Sequence, residues 1–436
     1  MTKDQVITAI DVGSDKCSTL IAKVNEAGEL QVVGFSAFPS RGMKRSAIID
    51  LEQVLNTLSQ SLDAAERMAG FEVKEAVVSL SGVHIRYKNS KGVVAVASPD
   101  QEITQSDVDR VIEAARAVSL PADREIIHVI PKDFKVDAQD GVKDPVGMMG
   151  VRLEAEAHII TSLSIALRNL EKCVNDLGLK VNAFVFSALA AAEVALTETE
   201  RELGVVLVDI GAGTTSIAAF VEGALEFSAV LPLGARLITQ DIALGCRIPM
   251  DDAEKLKQFL SEEGYNKVQP EVGETKVELA RRRRKEDTID TEQLGIEYQG
   301  TLSKKTLVNG IMEPRIREIF RMVMDELDKA GLLEENKVPA GLVLTGGGAM
   351  TVGLVDVARR VSNMSVRVAV PDMVSGLTED IRKPSYAVGV GLLEYSKKQG
   401  NLSSAASEVS FDVLAPFKML GRVPAKLKEI VKSVLP

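Results

Sequence analysis

One pattern is written twice in this chain. Residues 6–10 form an apolar run that ends in Asp11-Val12-Gly13-Ser14-Asp15-Lys16; residues 17–24 resume it, and Asn25-Glu26-Ala27-Gly28 turns it into a third run at 30–35. The second half repeats this. Residues 204–208 lead into Asp209-Ile210-Gly211-Ala212-Gly213-Thr214-Thr215, residues 216–221 return, and Glu222-Gly223 opens 225–231. In a dinucleotide-binding or P-loop unit the glycine turn would open a helix. Here strand formers follow it, so each copy reads as a three-stranded meander. Two copies imply two similar α/β halves facing each other.

Helical segments follow each half. Leu51, Val54, Leu55, Leu58 and Leu62 recur at helical spacing, and 162–177 and 187–197 read as further helices. Two stretches interrupt the repeat. The first, from about Val77 to Ile160, reads as short strands at 76–80 and 93–96, a capped helix over 104–118, and strands near 126–130 and 158–161. It holds all three histidines, His84, His128 and His158, which lack the spacing of a metal set and are expected to be satisfied structural side chains. The second, 236–310, contains Arg281-Arg282-Arg283-Arg284-Lys285, either a solvated face or a site for an acidic partner.

At 436 residues the chain is too long for one core. Its 52 basic and 62 acidic side chains leave a formal charge of -10, which argues against a surface built to hold nucleic acid. The absence of Trp removes the best base-stacking side chain. Cys17, Cys173 and Cys246 have no metal or redox spacing and read as buried free thiols. Residues 1–4 show no signal-peptide pattern. No apolar stretch reaches the ~18 residues of a spanning helix; the best, 205–225, is interrupted by Asp209 and Glu222. A chain of this kind would meet a membrane by lying on it.

The turns carry the candidate chemistry. A nucleoside triphosphate needs backbone N–H groups and a divalent metal to offset its charge, and glycines let the backbone approach. Gly13, Ser14 and Lys16 supply one side, and Gly211, Gly213, Thr214 and Thr215 the other. Asp11 and Asp209, at the strand ends, suit Mg²⁺ held directly or through water, because Mg²⁺ takes few carboxylates and keeps several waters. A third element, the strand at 341–345 followed by Gly346-Gly347-Gly348-Ala349-Met350, would pack against adenine and ribose.

These three elements, in this order, resemble the phosphate and adenosine motifs of the actin, sugar-kinase and chaperone ATPase superfamily. Finer segments are similar to the FtsA family of bacterial cell-division proteins: Pro39-Ser40-Arg41-Gly42-Met43, Leu80-Ser81-Gly82, His128-Val129-Ile130-Pro131, Asp144-Pro145-Val146-Gly147, Gly150-Val151-Arg152, Glu200-Arg201-Glu202-Leu203-Gly204 and Glu313-Pro314-Arg315. The resemblance runs from about Ile7 to Leu393, with 261–301 departing from it. It implies an actin-like α/β fold with ribonuclease-H-like duplicated meanders, two lobes around a nucleotide cleft and an FtsA-type inserted subdomain. The boundaries expected are 1–78, 161–202 and 376–396 for the first lobe, 79–160 for the inserted subdomain, 203–235 and 311–375 for the second lobe, and 236–310 for its insertion.

The resemblance further implies ATP with Mg²⁺, filaments on the cytoplasmic side of the membrane at the division site, contact with the tail of the tubulin-like protein FtsZ, and recruitment of other divisome proteins. Asp252-Ala253-Glu254-Lys255-Leu256-Lys257 matches a family segment that would bring Glu254 and Lys257 to the sugar and base. By the same analogy FtsZ meets the 236–315 region, with Lys304, Lys305 and Arg315 as candidate contacts. Where chaperone-like ATPases carry a glutamate that orients water, this chain has Ser187, a poor base; slow or negligible ATP turnover is expected. A small-molecule kinase of the same fold would need an aspartate base beside a substrate pocket, and no segment clearly offers one. A pilus-assembly scaffold would normally lack the tail described next.

Residues 397–410 have linker composition, and 411–436 turn apolar and basic again. Pro424 suits a helix start, and Leu427, Ile430, Val431, Val434 and Leu435 recur on one face, opposite Lys426, Lys428 and Lys432. Phe417 and Leu420 extend the apolar content. Such a helix either docks on its own protein or lies on anionic lipid; the polar linker that detaches it and the lysines that flank it favour the interfacial anchor, weak alone and strengthened by avidity in a filament.

Overall fold

The computed structural model describes residues 5–405 apart from 26, 99, 265–273, 299, 373 and 377. The first meander is β1 (Gln5–Val12), β2 (Lys16–Val24) and β3 (Leu30–Pro39), paired antiparallel with Asp11 opposite Ser18. A small hairpin, β4 (Met43–Lys44) and β5 (Ala47–Ile48), turns at Arg45 and Ser46, whose φ values of 49° and 58° match the primed turns that suit strand twist. Helix α1 (Leu51–Ala69) starts at Asp50, which accepts from Gln53 N–H, and stops at left-handed Gly70. Val54, Leu58, Leu62 and Ala65 form its buried stripe, with Leu51 and Leu55 half-buried beside it. Strand β6 (Glu75–Leu80) then lies parallel to β1.

The inserted unit follows: β7 (Arg86–Ala95), α2 (Gln105–Arg116), β8 (Arg124–Val136), β9 (Gln139–Val142) and β10 (Arg152–Leu163). Its sheet order is β7-β10-β8-β9, and Ile103, Val108, Val111, Phe134 and Leu153 give it a small core of its own. The chain returns through α3 (Ser164–Asn175), β11 (Lys180–Phe186), α4 (Ser187–Ala195) and α5 (Glu198–Leu203).

The second meander, β12 (Val205–Ile210), β13 (Thr215–Val221) and β14 (Ala224–Leu231), repeats the first in register, with Asp209 opposite Ser216. Helices α6 (Arg236–Cys246), α7 (Met250–Glu263) and α8 (Lys276–Asp287), a hairpin of β15 (Thr288–Ile289) and β16 (Leu302–Ser303), and α9 (Glu313–Lys329) come next. Strand β17 (Leu342–Thr345) joins β12 in parallel, and α10 (Leu354–Ser362) and β18 (Val366–Val368) complete the lobe as β14-β13-β12-β17-β18. Then β19 (Val374–Gly376) crosses back to pair with β3, making the first sheet β11-β6-β1-β2-β3-β19, and α11 (Thr378–Ile381) and α12 (Ala387–Ala405) follow. Helix α4 is buried nearly all round. It packs on β6 and β11 of one sheet and on β12, β13 and β17 of the other, so the two lobes share one apolar joint.

Four readings of the sequence are corrected. Residues 76–80 belong to the first lobe's sheet and not to the insertion, because β6 supplies the parallel neighbour that β1 lacks. The strand expected at 93–96 begins at Arg86, its polar outer end obscured by charged and amide residues on an edge strand. The second lobe was expected to run to 375, but β19 already pairs with β3 from Val374. Residues 397–405, read as linker, continue α12: once its buried first turns are formed, adding polar residues costs little. The rest of the linker and all of 411–436 lie outside the described residues.

Candidate functional site

The first glycine turn is closed by Gly13 N–H donating to the Lys16 carbonyl at 3.0 Å. Asp11, at the end of β1, accepts from the Ser79 hydroxyl at 2.7 Å, and Ser79 in turn accepts from Val12 N–H. Burial raises the Asp11 carboxyl above the usual range, with Ser79 and Lys16 pulling against it. Lys16 is held by Ser385 Oγ at 3.1 Å and by the face of Tyr386, 3.5 Å from the ring centroid. Burial lowers its ammonium to about 8.

The second turn closes the same way, Gly211 N–H donating to the Thr214 carbonyl at 2.9 Å. Asp209 is buried, and desolvation together with nearby Asp11 pushes its carboxyl up to about 7. The second turn meets the Arg45–Ser46 hairpin across the cleft, where the Ser46 and Thr214 hydroxyls lie 3.0 Å apart. The third turn presses on the second. Gly346 has φ 82°, and a Cβ there would stand 2.4 Å from Asp209 Oδ1 and 2.5 Å from the Ile210 carbonyl oxygen, so only glycine fits.

On α7, one helical turn apart, Glu254 and Lys257 pair at 2.7 Å and share the Thr239 hydroxyl at 2.6 and 2.9 Å. Burial pushes Glu254 up, but the Lys257 ammonium and bonds from Thr239 and Gln258 hold it below the usual carboxylate range. Both line a cavity of about 530 Å³ together with Asp11, Gly13, Ser14, Lys16, Asp209, Gly211, Gly213, Thr214, Gly346, Gly347, Gly348 and Met350. That volume falls in the small-molecule range of ~300–1,000 Å³.

Thr215 is the exception among the expected residues. As the first residue of β13 it is fully buried and donates to the Leu233 carbonyl at 2.8 Å, outside the cavity wall. Conversely, Ser46, Ser79, Ser81, Thr239, Gln258, Ser261 and Ser385 line the cavity without having been singled out. Ser187 is there too, at the start of α4, its hydroxyl 3.1 Å from that of Ser216.

Residues 82–161 match the SHS2 domain inserted in FtsA, and residues 206–391 match the cell division protein FtsA family. The chain is 39% identical over 409 residues to the cell division protein FtsA of Pseudomonas aeruginosa, covering 93% of each. The chain belongs to the FtsA family. Among solved structures, a chain of the PilM–PilN type IV pilus biogenesis complex aligns with TM-score 0.61 at 14% identity, over 90% of this chain and 98% of that one. MreB 5 of Spiroplasma citri bound to AMPPNP aligns with TM-score 0.50 at 13% identity, over 92% and 99%. The fold is therefore actin-like, with the FtsA-type domain inserted after β6.

The candidate partner contacts Lys304, Lys305 and Arg315 are not among the residues lining this cavity. Lys304 pairs with Glu263, and Lys305 donates its backbone N–H to Asp287 at 2.7 Å. Arg315 forks onto Asp241 at 2.6 and 3.0 Å and also pairs with Glu318, which raises its pKa. The basic run 281–285 sits on α8, where Arg282 bonds Glu274. His158 is satisfied at both nitrogens by Asn89 and Ser228, and His128 accepts from Phe186 N–H. His84 departs from that expectation, because its Nε2 is buried without a partner. All three cysteines are buried free thiols.

Proposed function

We propose that the cleft binds ATP with Mg²⁺, that closed copies assemble into filaments beneath the cytoplasmic membrane at the division site, and that the C-terminal segment 411–436 holds those filaments, with FtsZ and other divisome proteins attached, on anionic lipid. The observation carrying this reading is the convergence of three glycine turns and the Glu254–Lys257 pair on one cavity of about 530 Å³ between the lobes. The AMPPNP held by the MreB relative of the same fold supports the choice of nucleotide.

The donor set fits a magnesium nucleotide. Two carboxylates, the half-buried Asp11 and the buried Asp209, face one space, and Asp11 pushes the Asp209 carboxyl up, as expected of acids placed to share a cation. When bound, Mg²⁺ offsets phosphate charge. Lys16 adds a second positive charge at the first turn, and the glycines of the three turns leave room for backbone to approach phosphate. Glu254 accepts from a ribose hydroxyl, and the half-exposed Met350 offers an apolar face to the base. Ser187 neither removes a proton readily nor carries charge, so ATP acts as a ligand that closes the lobes more than as a substrate. An FtsZ tail at Lys304, Lys305 and Arg315 would have its carboxylates displace Glu263 and Asp241 from these cations.

Co-sedimentation with anionic liposomes tests the cleft and the tail in this reading, comparing the full chain with one ending at Ser407, each with and without Mg-ATP. Pelleting of the full chain alone, strengthened by Mg-ATP, is the expected result. Equal pelleting of the shortened chain moves the lipid contact elsewhere, and indifference to Mg-ATP removes the link between cleft and membrane.

A further inference from the structure

The turn Pro384–Tyr386, just before α12, reaches both ends of the phosphate site. Its Pro384 carbonyl accepts from Gly346 N–H at 3.0 Å and from the Thr345 hydroxyl at 3.2 Å, which ties it to the third glycine turn. Its Ser385 hydroxyl and Tyr386 ring take the Lys16 ammonium, at 3.1 Å and at 3.5 Å from the ring centroid, which ties it to the first. The ring itself is fixed edge-on against Phe35, with centroids 5.2 Å apart and planes at 89°.

A lysine ammonium on a four-carbon stem has many conformers, and desolvating it is unfavourable unless a π face or an acceptor replaces water. Both replacements are present here. We propose that Tyr386 is a positioning residue of the phosphate site: with Ser385 it holds Lys16 Nζ at the junction of the first and third glycine turns, so that arriving phosphate meets an ordered cation. The proposal rests on the nucleotide reading above. It assigns the work to the aromatic face and leaves the phenol hydroxyl out of it. Burial lowers the Lys16 ammonium to about 8, while Asp11 and Asp15 pull it back up.

The test is calorimetric titration of the full-length chain with Mg-ATP. The variants are Y386L, Y386F and S385A, with Y386L repeated in a K16Q background. Y386L is expected to weaken binding about tenfold, the scale of a desolvated cation–π contact. Y386F, which keeps the ring face, restores binding to within about twofold of the unaltered chain. In the K16Q background Y386L adds no further loss. An equal loss in both backgrounds, or a loss that Phe does not rescue, makes Tyr386 a packing residue on Phe35 and overturns the proposal. So does undiminished binding by Y386L. An unaltered chain that binds no Mg-ATP overturns the nucleotide reading itself, a result read before any variant is made.

Discussion

Ser14 and Gly213 approach so closely across the cleft that a Cβ on Gly213 would lie 2.7 Å from the Ser14 hydroxyl oxygen and 3.0 Å from Arg45 Cα. The Ser14 hydroxyl already accepts from Ser46 N–H at 2.8 Å, so it has little freedom to withdraw. Gly213→Ala must therefore part the lobes. Overpacking of this kind costs about 1–3 kcal/mol. We expect a lower melting temperature and Mg-ATP affinity reduced about tenfold or more. The second change S14G, which removes one of the clashing side chains, restores part of both. Unchanged affinity in G213A shows that nucleotide binding does not depend on this contact.

A second contact joins the inserted domain to the second lobe. Lys132 on β8 lies mostly buried between Glu156 on β10, at 2.7 Å, and Glu226 on β14. The two acids raise its pKa against the opposing effect of burial. Lys132→Met leaves two carboxylates facing each other with their shared cation gone. The expected cost is about 1–3 kcal/mol, less than for a fully buried pair because both acids keep some solvent contact. Thermal unfolding near pH 7 reads it. Adding E226Q to K132M recovers stability if the repulsion is the cause, and does not if the loss is simple packing.

The glycine turns were legible because each is a contiguous string at the end of an apolar strand, and their repetition carries more information than either copy alone. Thr215 was misplaced because strand alternation sends it opposite to Thr214, and a one-residue decision at a turn–strand boundary cannot be made from residue types. Ser79 and Ser385 went unseen for a different reason. They reach the cleft from β6 and from the turn before α12, 68 and 369 positions away from Asp11 and Lys16 respectively, and serine has no composition signal of its own. The carboxylate partners of Lys304 and Arg315, Glu263 and Asp241, are likewise brought in by tertiary packing.

Ser187 gives a kinetic expectation. It lines the cavity at the start of α4, and its hydroxyl is directed to Ser216 Oγ at 3.1 Å. Without a carboxylate or amide there to orient water, phosphate release from Mg-ATP should stay well below about 1 s⁻¹. A continuous phosphate assay on the full-length chain with liposomes measures it. Turnover of many per second would mean that another lining group positions the water.

Asp209 links the site to pH. Its pKa in the folded chain is about 7, against an ordinary 3.8, because of burial first and Asp11 second. Between those values the folded chain holds a proton that the unfolded chain has released, so this group's contribution to stability falls as pH rises toward 7 and its full cost is present above 7. Asp209→Asn removes that cost. In nucleotide-free buffer with a chelator, D209N is expected to be more stable than the unaltered chain at pH 8, by roughly 2–4 kcal/mol, and the gap should shrink on acidification to pH 5. On the nucleotide reading, Mg-ATP is expected to reverse the order, stabilising the unaltered chain, whose two carboxylates would then face a cation, and leaving D209N little changed. Calorimetric melting at the two pH values, with and without Mg-ATP, gives all four numbers. A D209N chain that is no more stable at pH 8, or that gains as much from Mg-ATP, would mean that Asp209 is not held under strain for a metal nucleotide.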